Sequence, residues 1–311
     1  MRIVSLLPSV TEICFTLGLS DRVVGVTHEC DYPPAAQHKL HVTRSLLPPN
    51  ITDGVEVNHF ILERSRRGNP LCELDFDTLA ELKPDLIFTQ QLCDPCTVSY
   101  ADVLAAVRRL PKPLRVVSID PQTLDEALEV VREIGDLTGR PRTAKAVLRA
   151  LRQRVQYINE HVDRLAIPRR VVCLDNLDPP MVAGYWVPEM IAIAGGEDML
   201  GRAGEPSFEV DWRQLVDVAP EALILMPRGY SLERTVSEVS KLPGLLQLAV
   251  VPAVQHEQVY AVDGGYFNRP GPRLVGGIEI LAGIIHPEAF ARIGSPGSIQ
   301  SVHIRSMEQV S

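Results

Sequence analysis

Apolar residues in this chain fall into short unbroken runs separated by stretches with helical spacing. The first run, Ile3-Val4-Ser5-Leu6-Leu7, predicts a strand over residues 2–7. A few consecutive apolar residues between polar flanks are what a strand covered on both faces requires. A helix follows, with Ser9 and Glu12 at capping-box spacing and Gly18 at its end. Further strands are predicted at 22–27, near 41–43, and at 85–89, 114–118, 170–174, 222–226 and 258–262. Helical spacing marks 55–66, 98–110, 122–137, 141–165, 187–194 and 273–285. Strand and helix alternate through short links, which predicts parallel, doubly wound sheets.

Two stretches nearly repeat each other. Residues 79–91 are L-A-E-L-K-P-D-L-I-F-T-Q-Q and residues 215–228 are L-V-D-V-A-P-E-A-L-I-L-M-P-R. In each, a helix stops at a Pro-acid pair and passes straight into an apolar strand, because proline lacks an N–H and restricts the residue before it. Between the copies, Val147, Leu148, Leu151, Val155, Ile158 and Val162 keep one helical face apolar. The expected fold is α/β: two doubly wound α/β lobes joined by a long rigid helix, with a ligand cleft between the lobes. The expected divisions are an N-terminal lobe at 1–120, linking helices at 121–166, a C-terminal lobe at 167–290 and a mobile tail at 291–311. A rigid connector restricts closure to small rotations.

Composition narrows the function classes. A chain of 311 residues can hold two cores, and 45% hydrophobic with 23% charged residues is ordinary for a soluble protein. A net charge of −8 argues against nucleic acid as a partner. No apolar run approaches the roughly 18–20 residues that span a bilayer. The opening strand is too short for a signal-peptide core, so a cytoplasmic monomer is expected. The six cysteines are then expected to be reduced thiols or metal ligands.

Ligands of open parallel sheets bind beyond the carboxyl ends of the strands. That rule selects Pro8, His28, Glu29, Tyr32 and Gln90 in the first lobe. In the second it selects Tyr185, Trp186, Tyr230, Tyr266, Phe267 and Arg269. Aromatics are 5% of the chain, so their gathering on one rim suggests a ligand surface; packing at a lobe edge is the plain alternative. Arg269, stiffened by Pro270 and Pro272, suits a carboxamide, carboxylate or phosphate, or is a surface residue flanking a helix. His28 could ligate cobalt or iron as neutral imidazole. Cys30, Cys72, Cys93 and Cys96 are candidates for zinc or iron, for a redox pair, or for small buried side chains. Cys14 and Cys173 read as core residues. No G-x-S-x-G, P-loop, G-x-G-x-x-G or H-E-x-x-H is present, so no catalytic residue is assigned.

The segments R-I-V-S-L-L-P-S-V-T-E-I, D-Y-P-P, L-K-P-D-L-I, A-G-G-E-D-M-L and Y-F-N-R-P-G-P-R recur in order over residues 1–288. They resemble the helical-backbone class of ABC-importer substrate-binding proteins, and within it the cobalamin-binding proteins, in a leaderless branch. The resemblance implies two lobes, a spine helix and a clasped ligand lined by Pro8, residues 28–32, Tyr185, Trp186 and residues 266–269. Where such relatives place tryptophans, this chain has Ser45 and Gln90; where they place an acid before the arginine, it has Gly264-Gly265. Of the two carboxylates with which they dock to a permease, Asp77 fills one position and Arg213 stands at the other, which argues against docking to a standard permease. The expected function is non-catalytic binding of a cobalamin/corrinoid-like, tetrapyrrole-sized small molecule. The alternatives are a metal-thiolate or redox-sensing protein built on the four cysteines, and an enzyme processing a corrinoid or metal complex.

Overall fold

A computed structural model of the protein describes residues 1–51, 54–91, 98–162, 168–239, 243–290 and 297–303. The chain divides into two units, Met1–Pro121 with Glu129–Leu148, and Gln122–Leu128 with Arg149–Ser311. The first contains β1 (Ile3–Ser5), α1 (Pro8–Thr16), β2 (Val23–Val26), β3 (Leu40–His41), β4 (Thr43–Ser45), α2 (Gly54–Arg66) and β5 (Cys72–Leu74). It continues with α3 (Phe76–Leu82), β6 (Leu86–Thr89), α4 (Tyr100–Arg108) and β7 (Arg115–Ser118). The division falls inside the next two helices, α5 (Leu124–Leu137) and α6 (Pro141–Val162).

The sheet of the first unit runs β3-β2-β1-β6-β7, all parallel. Its central strand is buried at every position. Alternate residues feed opposite faces. Ile3, Leu86 and Phe88 pack with Val10, Ile13 and Ile134, whereas Val4 and Ile87 pack with Leu79, Leu82 and Val103. Each such fully buried aliphatic side chain contributes about 1.5–3 kcal/mol. The capping box expected at Ser9 and Glu12 does not form. Leu7 holds the cap position, Pro8 opens α1, and Ser9 and Glu12 are both buried; proline costs nothing there because that N–H has no intrahelical partner. The ends of the inserted segment pair as a small antiparallel ribbon, β4 with β5.

The second unit contains β8 (Arg169–Leu177), β9 (Pro180–Val182), α7 (Val187–Ile193), β10 (Gly196–Asp198), β11 (Phe208–Glu209), α8 (Trp212–Val218) and β12 (Ala222–Leu225). Then come α9 (Leu232–Val239), α10 (Pro252–Gln255), β13 (Val259–Val262), α11 (Arg273–Ile285), α12 (Pro287–Phe290) and β14 (Ile299–Ser301). Its sheet order is β11-β9-β8-β12-β13-β14, with β10 also on β8. Strands β10, β8, β12 and β13 are parallel; β9, β11 and β14 are antiparallel additions. Within the segment expected to be a mobile tail, β14 pairs with β13. Arg154 of α6 grips Glu279 of α11 with two hydrogen bonds of 2.8 and 2.7 Å.

The repeat seen in the sequence is repeated in three dimensions. Asp75 and Asp211 cap α3 and α8 by accepting from Thr78 and Gln214 backbone N–H groups. Both helices end in a left-handed residue that is not glycine, Lys83 at φ 45° and Ala219 at φ 44°. The following acids, Asp85 and Glu221, accept the backbone N–H of Arg2 and Arg170 at 2.8 and 3.0 Å. The same arginines turn their Nε–H onto the helix ends, Arg2 onto the Leu82 carbonyl at 2.6 Å and Arg170 onto the Ala219 carbonyl at 3.1 Å. A cation at a helix carboxyl end satisfies orphan carbonyls and opposes the dipole.

Since an L-residue in the left-handed region costs about 1–2 kcal/mol, Ala219→Gly is expected to stabilise the chain. Part of that gain is offset by the greater freedom of glycine in the unfolded state. A net rise of about 0.5–1 kcal/mol in urea unfolding is the expected reading, and no rise would show that the residue is not strained.

Candidate ligand-binding surfaces at the carboxyl edges of the two sheets

In the first unit the strand order reverses between β1 and β6, which makes their carboxyl ends the place for a ligand. Pro8 and Gln90 stand there, both partly exposed. Beside them a hydroxyl network ties strand ends together. Thr43 Oγ1 accepts the backbone N–H of His28 at 3.0 Å, lies 2.7 Å from His28 Nδ1, and is 2.9 Å from Thr27 Oγ1. Burial, helped by His41, lowers the His28 pKa, so the ring is neutral at pH 7. Glu29 and Tyr32 are exposed.

The cysteines do not gather. Cys30 is buried, 3.1 Å from Thr11 Oγ1, in the cluster on one face of the sheet. Cys72 is buried in the cluster on the other. Cys93 and Cys96 lie outside the described residues. Among the described residues no three His, Cys, Asp or Glu side chains are placed to hold a metal. Cys14 is a core thiol whose pKa burial pushes up to about 12, and Cys173 is raised by burial as well.

In the second unit the loops after β9, β12 and β13 bring the aromatics together, in two layers. Trp186 and Phe267 form the inner layer: both are buried, and the indole N–H donates to the Phe267 carbonyl at 2.7 Å. They are therefore packing residues, against the expectation that they line a rim. Tyr185 and Tyr266 form the outer layer and are partly exposed. Tyr185 stacks on Trp186 with centroids 5.7 Å apart and planes 25° apart. Its φ of 51° is strained for a bulky residue, and is held by hydrogen bonds to the Glu205 carbonyl and from the Gly204 N–H. Arg273 lies over the Tyr266 ring and Arg234 over that of Tyr230, which is nearly buried. Arg269 is partly exposed.

Sequence reasoning missed an ionic cluster built on a buried acid at this edge. Asp175, at 3% exposure, accepts from Ser207 Oγ at 2.5 Å and from Arg228 Nε at 3.0 Å, and Arg228 also donates to Ser207 at 2.7 Å. The cluster ties the loop after β12 to β8, and Asn268 Nδ2 adds a 2.9 Å bond to the Met226 carbonyl. The signal was present in R-V-V-C-L-D-N-L, where an acid interrupts a run expected to be buried. Burial raises the Asp175 pKa, against the pull of Arg228.

Two α/β units, each built on an open, mostly parallel sheet with loops at its carboxyl edge, have the organisation of a substrate-binding protein. The chain belongs to the periplasmic binding protein family, whose profile matches residues 3–266. It is 24% identical over 283 residues to the vitamin B12-binding protein of Vibrio cholerae, covering 89% of this chain and 86% of that one. It is 25% identical over 299 residues to an uncharacterised ABC transporter substrate-binding lipoprotein of Bacillus subtilis, covering 93% and 81%. In fold it matches the crystal structure of the V. cholerae periplasmic vitamin B12-binding protein, with TM-score 0.67, 22% identity and coverage of 91% and 96%. A periplasmic haem-binding protein of Pseudomonas aeruginosa matches with TM-score 0.74, 18% identity and coverage of 98% and 99%. The family is one of non-catalytic binding proteins that take small-molecule ligands and work with ABC transporters.

This membership overturns the cytoplasmic expectation. The family is periplasmic and a relative is a lipoprotein, which points to the extracytoplasmic side. The short apolar run at the start is the central strand of a sheet. The expectation that the cysteines are reduced thiols or metal ligands rested on that location; Cys14, Cys30, Cys72 and Cys173 are free thiols in the structure. In the described residues no helix is long and apolar enough to cross a membrane.

Trp186→Phe removes the donor from the buried Phe267 carbonyl and is expected to cost about 1–3 kcal/mol in urea unfolding; an unchanged midpoint would show that the bond is replaced by water. Asp175 has a second readout. Because its folded pKa is raised, its contribution is fully present below the unfolded carboxylate value of about 4 and is lost as pH rises through the folded value. Asp175→Asn is expected to flatten the pH dependence of stability over that window, and an unaltered slope would contradict the raised pKa.

Proposed function

We propose that this protein binds a corrinoid or similar tetrapyrrole-sized metal complex and carries it unchanged, using the carboxyl-edge loops of its units. The observation that carries this reading is the aromatic ledge of the second unit. Tyr185 is fixed in a strained conformation, backed by a buried Trp186 whose own N–H is already engaged. A strained, over-determined aromatic at a ligand edge is what preorganised stacking on a broad planar ligand needs. The names of relatives, vitamin B12-binding and haem-binding, support the same ligand class. In the first unit, Pro8, Gln90 and the half-buried His28 offer small, polar and coordinating groups.

Delivery to a transporter carries one constraint. Asp77 and Arg213 occupy equivalent first-turn positions on α3 and α8, and both are exposed. A partner that meets both helices has to present charges of opposite sign to them.

Calorimetric titration with cyanocobalamin tests the reading. Saturable binding at micromolar concentration or tighter is expected, with Tyr185→Ala weaker by about tenfold, corresponding to the 0.5–1.5 kcal/mol of an aromatic contact. No saturable heat up to about 0.1 mM, a free energy weaker than roughly −5.5 kcal/mol, would remove it.

A further inference from the structure

We infer that His28 ligates the metal of the bound complex through Nε2, with Thr43 as the residue that positions the ring. This deepens the corrinoid reading above and rests on it.

The geometry is that of a prepared ligand. His28 directly follows Thr27 at the carboxyl end of β2, beside the strand pair where a ligand belongs. Its backbone N–H and its Nδ1 both meet Thr43 Oγ1, at 3.0 and 2.7 Å, so main chain and ring are held by one atom. Thr43 itself is buried and fixed in β4, and its hydroxyl reaches Thr27 Oγ1 at 2.9 Å. Among the described residues Nε2 makes no hydrogen bond, although the ring is only half-buried. One edge of the imidazole is thus anchored and the other is open.

The hydrogen-bond inventory allows the tautomer that a metal requires. Thr43 Oγ1 has one proton and two acceptor positions. It can accept from the His28 backbone N–H and from Nδ1–H while donating its own proton to Thr27 Oγ1. That arrangement leaves the lone pair on Nε2. A ligating histidine characteristically donates its other ring N–H to a fixed oxygen, which sets both tautomer and orientation. The neutral ring favoured by burial suits a metal ligand. Neighbouring candidates do not share these features. His41 is exposed at the end of the edge strand β3, while Cys30 and Cys72 are sealed within the two cores.

Aquocobinamide, a corrinoid without its own nucleotide base, is the discriminating probe because its axial waters exchange for imidazole. The wild-type complex is expected to show the visible spectrum that free imidazole produces with the same compound. His28→Ala should still take up aquocobinamide by calorimetry, within about tenfold of wild type, but with the aquo spectrum, and added imidazole should restore the wild-type bands. Thr43→Val should keep the ligated spectrum and weaken its formation by about 10–100-fold, the usual effect of losing such a supporting bond. His28→Gln serves as a second variant, with circular dichroism confirming that both variants fold. An aquo spectrum in the wild-type complex, or identical spectra for wild type and His28→Ala, overturns the assignment while leaving corrinoid binding intact. Absence of calorimetric binding to wild type overturns both.

Discussion

Burial of the central strands on both faces is the constraint from which the rest follows. Every residue of β1, and likewise of β12, is enclosed. A parallel strand so enclosed cannot reach its neighbour by a tight turn, so the chain must cross over a face and cover it with a helix. Those crossovers leave one edge of each sheet with strand ends and loops that no helix covers. Function is confined to that edge by topology before any particular side chain is chosen.

The internal repeat shows which parts of this scheme are held tightly. Cap, helix, left-handed residue, proline, acid and strand recur in α3–β6 and α8–β12, down to an arginine that serves as clasp for both the strand start and the helix end. These contacts lie at the amino edge of the sheets, away from the ligand loops. The carboxyl edges differ: hydroxyls and a histidine in one unit, an aromatic ledge and a buried acid paired with an exposed arginine in the other. Structural economy is shared between the copies; recognition is not.

How much of this the sequence displays depends on whether a feature is local. The α/β alternation, the repeat and the α11 boundaries were legible because period and proline stops are properties of neighbouring residues. The capping box at Ser9 failed because Pro8 satisfied the helix start by itself and burial claimed Ser9 and Glu12. β9, β11 and β14 were invisible, being two or three residues long; β9 folds back on the adjacent β8, whereas β11 and β14 are defined by partners far away in the chain. For the candidate sites, the strand-end loops were legible in the sequence, but which of their side chains are packed and which are exposed was not. Trp186 and Tyr185 are adjacent, and nothing in their order says that one is packed and the other presented. The Asp175–Arg228–Ser207 cluster spans 53 positions between its charged members, so only folding reveals it.

The two edges solve the same problem by different means. A small-molecule ligand gains most from groups whose ordering has been settled before it arrives, because ordering them on binding offsets part of the gain. In the second unit the settling is done by strain and burial. Tyr185 is held against its backbone preference by the Gly204 and Glu205 contacts, and the loop after β12 is tied to a buried acid, Asp175, whose ionised form Arg228 and Ser207 both favour against the cost of burial. In the first unit it is done by a single threonine hydroxyl that holds both ends of His28. Thr43 can do so because β4 is short, ribbon-paired to β5, and delivers its first residue beside the end of β2. The inserted segment therefore has a structural consequence at the carboxyl edge of the sheet: its own ends supply the strand that holds the His28 ring.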